Sequence, residues 1–208
     1  MSTTADYRYG FYLRPDLEMC RAVADAHALL RSEYGLVTGG LFMPHVTIKG
    51  FFASDAEPAE MIARLDRSLA GLRPFTAWNG GVRAFSTTSL VISVRDLPDG
   101  TPNEGFFDAQ DRAFDALLPL VRPGCEWTRR DPRGRSGPSA LHAHITLAMA
   151  DLPAELQAEV RDFILAGGPI GPASFAADTY HLFRFAADWA GDPWHTLSWK
   201  LLHSWRMG

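Results

Sequence analysis

The sequence predicts an α+β fold built by internal duplication, with two antiparallel β-sheets and helices packed outside them. Three observations carry this. The predicted elements run strand, helix, strand, helix, strand, and then strand, helix, strand, helix, strand, strand. The middle strand of each run holds His-x-Thr between apolar residues, in Phe42-Met43-Pro44-His45-Val46-Thr47-Ile48-Lys49-Gly50 and in His142-Ala143-His144-Ile145-Thr146-Leu147-Ala148. The composition is that of a globular chain, 47% hydrophobic and 21% charged, and 208 residues are enough to bury a sizeable core. Strands and helices in this order favour antiparallel sheets layered with helices.

Each element has a local reason. Tyr7 to Arg14 is an aromatic-rich strand closed by Pro15. From Asp16 to Tyr34, Leu17, Cys20, Val23, Ala24, His27, Leu30 and Tyr34 share a helical stripe, and Gly35 fits the stop. Leu41 to Phe52 carries the first motif as a strand. Ser54 to Gly71 reads as a helix that Ser54 or Asp55 caps, with Pro58 in its first turn. Phe75 to Phe85 is a strand bent at Gly80-Gly81, and Leu90 to Val94 is another. Phe106 to Val121 has helical spacing that Pro119 cuts short. Gly124 to Ser139 sets Arg129, Arg130, Arg133 and Arg135 among glycines and prolines and reads as a long loop. Leu141 to Met149 carries the second motif. Pro153 to Ala166 is a helix, and Ser174 to Phe185 and Trp194 to Trp205 are the last strands. The expected organisation is one bilobal unit over residues 1–208, with a first repeat at 1–89 around His45 and a second at 90–208 around His144.

Charge and cysteine content narrow the function classes. A net charge of −4 and a pI near 5.9 give no global basic field for long nucleic acid. A nucleic-acid substrate then has to be small or held by a local patch. Two cysteines, Cys20 and Cys125, form neither a disulfide framework nor a Cys-x-x-Cys zinc pair. No apolar run approaches a membrane span or a signal peptide, so a cytoplasmic protein without a membrane partner is expected. No protein partner can be inferred.

Alternation gives the motifs their chemistry. In a strand, His45 and Thr47 point one way while Val46 and Ile48 point the other, and the same holds for His144 and Thr146 against Ile145 and Leu147. Two such strands facing each other would make a symmetric site of two imidazoles and two hydroxyls. A neutral imidazole takes a proton from attacking water, and an imidazolium gives one to a leaving alkoxide. The threonine hydroxyls can donate to the non-bridging oxygens of a phosphodiester between the rings. This chemistry calls for no cofactor and no metal.

Pro44-His45-Val46-Thr47-Ile48 and His144-Ile145-Thr146-Leu147 resemble the paired motifs of the two-histidine (2H) phosphoesterases. That superfamily includes the RNA 2′,3′-cyclic phosphodiesterases, also called 2′-5′ RNA ligases. The resemblance spans the chain in length, element order and motif spacing, while only the motifs match in letters. It implies a bilobal α+β fold with a cleft between the lobes. It also implies metal-free phosphodiester chemistry, with catalytic roles for His45, Thr47, His144 and Thr146. The family pattern makes the second-motif histidine, His144, the activator of water and the first, His45, the proton donor. The implied partner is a nucleotide or short RNA with a cyclic or 2′-5′ phosphodiester. The 124–139 excursion is no part of the family's core pattern.

Further residues are candidates for binding substrate. Lys49 shares the face of Thr47 by alternation and is one of two lysines in the chain. Phe42 stands beside the first motif, where it could stack a base. His142 alternates with His144. Tyr180 lies on a late strand, on the side of Arg184. Arg133 stands for the basic loop, which would suit phosphates. Two other functions fit the same residues: a non-catalytic RNA-end or nucleotide-binding module, and a metal-dependent hydrolase using His142 and His144.

Overall fold

A computed structural model describes residues 6–123 and 141–208. The Gly124–Ser139 loop, with Arg133, therefore lies outside the described residues. Among them, the strands β1 (Arg8–Arg14), β2 (Val46–Phe52), β4 (Val82–Ser86), β5 (Ser89–Ser93), β6 (His144–Ala148), β8 (Thr179–Ala186) and β9 (Ser198–Arg206) form one antiparallel sheet. Its order is β4-β5-β6-β2-β1-β8-β9, and β3 (Phe75–Trp78) pairs with β7 (Ser174–Ala177) in a small second sheet. The helices α1 (Leu17–Tyr34), α2 (Pro58–Leu69), α3 (Glu104–Leu117) and α4 (Gln157–Ala166) lie outside. This is the predicted α+β layering.

The helix limits follow local chemistry. The Asp16 carboxylate accepts from the Met19 amide at α1's start, and Gly35 ends it with φ 70°. Met19, Val23, Ala26 and Leu30 form the buried stripe of α1. Helix α2 starts with Pro58 after Glu57 and has no side-chain cap. Ser54 and Asp55 do not cap it: the Ser54 hydroxyl donates to Leu120 O, and Asp55 pairs with Arg122. Pro119 falls in a 3₁₀ turn after α3, as the sequence suggests.

Two expected strands break in two. The stretch bent at Gly80-Gly81 leaves one sheet and enters the other, with Gly81 at φ 79° supplying the turn that glycine alone adopts cheaply. The Ser174–Phe185 run divides at Asp178 in the same way. The expected final strand begins later, at Ser198, after a short helix α5 (Pro193–Thr196).

The motif strands β2 and β6 are neighbours in mid-sheet, side by side rather than face to face. They are antiparallel and joined through one register pair, Val46 with Ile145. Each stands at the edge of a wing: β2-β1-β8-β9 on one side, β6-β5-β4 on the other. The wings draw strands from both sides of residue 89. Val46, Ile48, Ile145 and Leu147 are buried in the main core under the sheet. Each such side chain contributes roughly 1.5–3 kcal/mol when buried, which fixes the opposite face of both motifs toward the cleft. On that face a separate aromatic cluster of Tyr12, Phe183 and Phe185 packs with Phe42 and Phe51.

Candidate active site

Antiparallel pairing of Val46 with Ile145 sets His45 opposite Thr146 and Thr47 opposite His144. The two histidines are thus diagonal across the seam, and diagonal neighbours in antiparallel strands lie about 7–8 Å apart. All four residues line one cavity of about 180 Å³. Phe42, Phe51, Tyr12, Gly39, Gly50, Met149 and Trp194 complete its wall.

The two rings are held in the same way. His45 Nδ1 donates to the carbonyl of Met43 at 2.9 Å, and His144 Nδ1 donates to the carbonyl of His142. In each case the acceptor lies two residues upstream. With Nδ1 carrying the proton, the neutral ring leaves its Nε2 lone pair for a reacting group. Each ring also meets a phenylalanine: Phe42 is stacked on His45 at 4.7 Å and Phe85 lies tilted against His144 at 4.6 Å between centroids. Tyr12 meets His45 edge-on at 4.6 Å. Burial pushes His45 down to about 4, and the nearby His144 and His27 rings add to the shift. Burial lowers His144 as well. The free cleft therefore holds two neutral imidazoles at neutral pH. The hydroxyls of Thr47 and Thr146 have no protein partner among the described residues, so both remain available to a ligand.

The surroundings are braced. His27, on α1, donates Nε2–H to the carbonyl of Thr146 at 3.0 Å. Both amides of Val37 and Thr38 donate to the Asp151 carboxylate, at 2.7 and 2.8 Å. These bonds hold the Thr38–Gly40 turn against β6. A Cβ on Gly39 would lie 2.4 Å from Leu147 O, so glycine is what lets the turn approach this closely.

Of the other candidates, Phe42 lines the cavity and touches His45. His142 is exposed and lines an adjoining cavity on the other side of His144. Lys49 and Tyr180 do not line the cleft. Two register shifts between β1 and β2 place extra residues in β2, and Lys49 turns into the core, 1% exposed, with its ammonium 5.3 Å from the Phe52 ring. On β8, Tyr180 pairs with buried Leu13 and stacks on Phe11 in the main core, while His181 pairs with Tyr12 and takes the cleft side. Sequence reasoning missed Tyr12, Gly39, Phe85 and Trp194. Alternation along Tyr7–Arg14 could have separated Tyr12 from Leu13; the others depend on tertiary placement. Among the described residues, no cluster of three His, Cys, Asp or Glu side chains could hold a metal ion.

The family model of the 2′-5′ RNA ligase superfamily matches residues 20–189, which include both motifs and every wall residue of the cleft except Tyr12 and Trp194. The chain belongs to the 2′-5′ RNA ligase superfamily. Solved structures agree at the level of the fold. E. coli LigT complexed with 3′-AMP is 14% identical, covering 98% of this chain and 99% of that one, with a TM-score of 0.54. E. coli LigT complexed with NADP+ is 13% identical over 97% and 98%, with a TM-score of 0.57. A further phosphoesterase is 13% identical over 97% and 98%, with a TM-score of 0.51. Among curated proteins, none matches the chain by sequence. Among the described residues of this superfamily member, no helix is long and apolar enough to cross a membrane.

Proposed function

We propose that the chain is a metal-independent phosphodiesterase that hydrolyses a 2′,3′-cyclic phosphate or a related 2′-5′ or cyclic nucleotide phosphodiester. The observation that carries this is the duplicated constellation: two Nδ1-anchored imidazoles and two unpartnered hydroxyls around one cavity. Superfamily membership and the nucleotides bound by the LigT relatives support a nucleotide or short RNA as substrate.

The phosphate sits between the rings, with Thr47 and Thr146 donating to its non-bridging oxygens. One imidazole accepts a proton through Nε2 from a water whose oxygen attacks phosphorus. The P–O bond on the opposite side breaks, and the second ring, as imidazolium, gives its proton to the departing ribose oxygen. Water is consumed, a phosphomonoester and a free hydroxyl result, and the protein ends with its proton moved from one ring to the other. Following the family pattern, His144 is the base and His45 the acid. Because both rings start neutral, the acid gains its proton when the anionic phosphate binds, since a nearby negative charge favours the imidazolium. The expected setting is the cytoplasm.

The test is turnover of 2′,3′-cyclic mononucleotides, cyclic-ended RNA and 2′-5′ dinucleotides, with and without chelator. Turnover of at least one that chelator leaves intact and either histidine substitution abolishes is expected. Binding without turnover of any of them would make the protein a nucleotide-binding module instead. Activity lost to chelator and restored by zinc or manganese would favour metal chemistry at His142 and His144.

A further inference from the structure

We infer that a second anion subsite, formed by Arg83, Arg95 and Ser93, lies beside the paired histidines and takes the 5′-phosphate of the nucleotide whose cyclic phosphate is opened. The inference rests on the function proposed above and names the substrate more narrowly.

A cavity of about 250 Å³ adjoins the cleft, and His144 lines both. Sheet register brings its residues together. Arg83 pairs with Val91 across β4 and β5, Val91 pairs with Thr146 across β5 and β6, and Ser93 pairs with His144. Directly paired residues share a face, so Arg83, Ser93, Thr146 and His144 all look toward the cleft side. Arg83 is exposed and has no carboxylate partner among the described residues; its hydrogen bond there is a long one, 3.5 Å, to Gly80 O. Arg95 is anchored, with Nε donating to Leu141 O at 3.1 Å and a guanidinium nitrogen 2.6 Å from Asp96. The Ser93 hydroxyl donates to no protein group among the described residues.

Arg83 thus brings into a concave site a guanidinium that meets no carboxylate among the described residues, beside the anchored Arg95. Arginine is the side chain best shaped to grip phosphate oxygens in pairs. Phe85 lines this second cavity, its ring tilted against His144 and still 51% exposed, which leaves ring surface for a base.

The covalent structure of RNA says what belongs there. In a strand ending in a 2′,3′-cyclic phosphate, the only direction in which the chain continues is through the 5′ oxygen. The next phosphate from the reacting one is therefore the 5′-phosphate of the same nucleotide. A free nucleoside 2′,3′-cyclic phosphate lacks it. The subsite thus separates RNA ends, and 5′-phosphorylated nucleotides, from free cyclic mononucleotides.

The experiment compares adenosine 2′,3′-cyclic phosphate with its 5′-phosphorylated form, using the wild type and Arg83→Gln. The wild type should have a KM about tenfold lower for the 5′-phosphorylated substrate, as one charge-assisted contact supplies. Arg83→Gln should remove that preference while leaving kcat/KM on the simpler substrate within about twofold. Equal loss on both substrates, or no loss on either, would overturn the subsite. Binding is read separately by titrating adenosine 3′,5′-bisphosphate and 3′-AMP. Tighter binding of the bisphosphate by the wild type alone supports the subsite even where turnover is absent, in which case the hydrolase reading fails and the subsite stands. Equal binding of the two ligands by the wild type sinks the subsite whatever the turnover.

Discussion

Phe42 lies nearly parallel to the His45 ring, with centroids 4.7 Å apart and planes 23° from parallel. Across the seam, Phe85 covers His144 in a more tilted contact, at 4.6 Å and 31°. Each aromatic ring keeps water off one face of an imidazole. That favours the neutral form and steadies the ring plane, so stacking and burial act on proton affinity together. In the proposed mechanism this is the control on when each histidine charges.

Replacing Phe42 with leucine should let water reach His45 and raise its pKa from about 4 toward the ordinary histidine value. Histidine titration by NMR in the unliganded protein would read this directly. An unmoved His45 would assign the shift to Tyr12 and the rest of the cavity wall.

His45→Ala and His144→Ala should each lower turnover roughly a hundredfold or more, because each removes one proton-transfer group. Thr47→Ala or Thr146→Ala should cost about tenfold, since one of two donors to the phosphate remains. All four variants should keep the circular dichroism spectrum of the parent. Wild-type turnover in either histidine variant would contradict the mechanism.

The pH dependence has a definite sign. The His45 pKa is depressed in the folded state to about 4, and the unfolded ring titrates near 6.5. Between these values the unfolded chain binds more protons, so stability is fully present above about 6.5 and is lost as pH falls toward about 4. His45→Gln should flatten this part of a denaturation-versus-pH curve. For the same reason, binding of phosphate or 3′-AMP at pH 7 should take up protons, approaching one per site. Calorimetry in buffers of different ionisation enthalpy measures the uptake. The bell of kcat/KM, set by the free rings, should lie to the acid side of the bell of kcat, and its two apparent values would belong to the coupled pair.

Gly39→Ala places a methyl group 2.4 Å from Leu147 O, a backbone atom that moves only with β6. The expected cost is about 1–3 kcal/mol, the range for overpacking, read as a lowered Tm. A fall in kcat should accompany it, because the displaced strand carries His144 and Thr146.

Much of the site was legible because it is written in local alternation. Val46, Ile48, Ile145 and Leu147 had to be buried, which aimed His45, Thr47, His144 and Thr146 the other way. Helix α1 was legible almost to the residue, since Asp16 and Gly35 are local signals. Lys49 was misplaced because a bulge resets parity, and nothing near Ile48 announces one. Tyr180 was misplaced because the choice of face on β8 comes from its partner β1, a distant part of the chain. Phe85 and Arg83 joined the picture only through register with β5 and β6. The split of two expected strands between sheets is likewise tertiary, as Phe75–Trp78 leaves the main sheet to pair with Ser174–Ala177.

The lone register pair of Val46 and Ile145 also has a mechanical meaning. A full ladder would set the spacing of the two strands by backbone hydrogen bonds alone. With one register pair, that spacing rests on the shared core beneath Val46 and Ile145 and on the Thr38–Gly40 turn held against β6. The separation of the imidazoles is therefore dictated from outside the two strands that carry them.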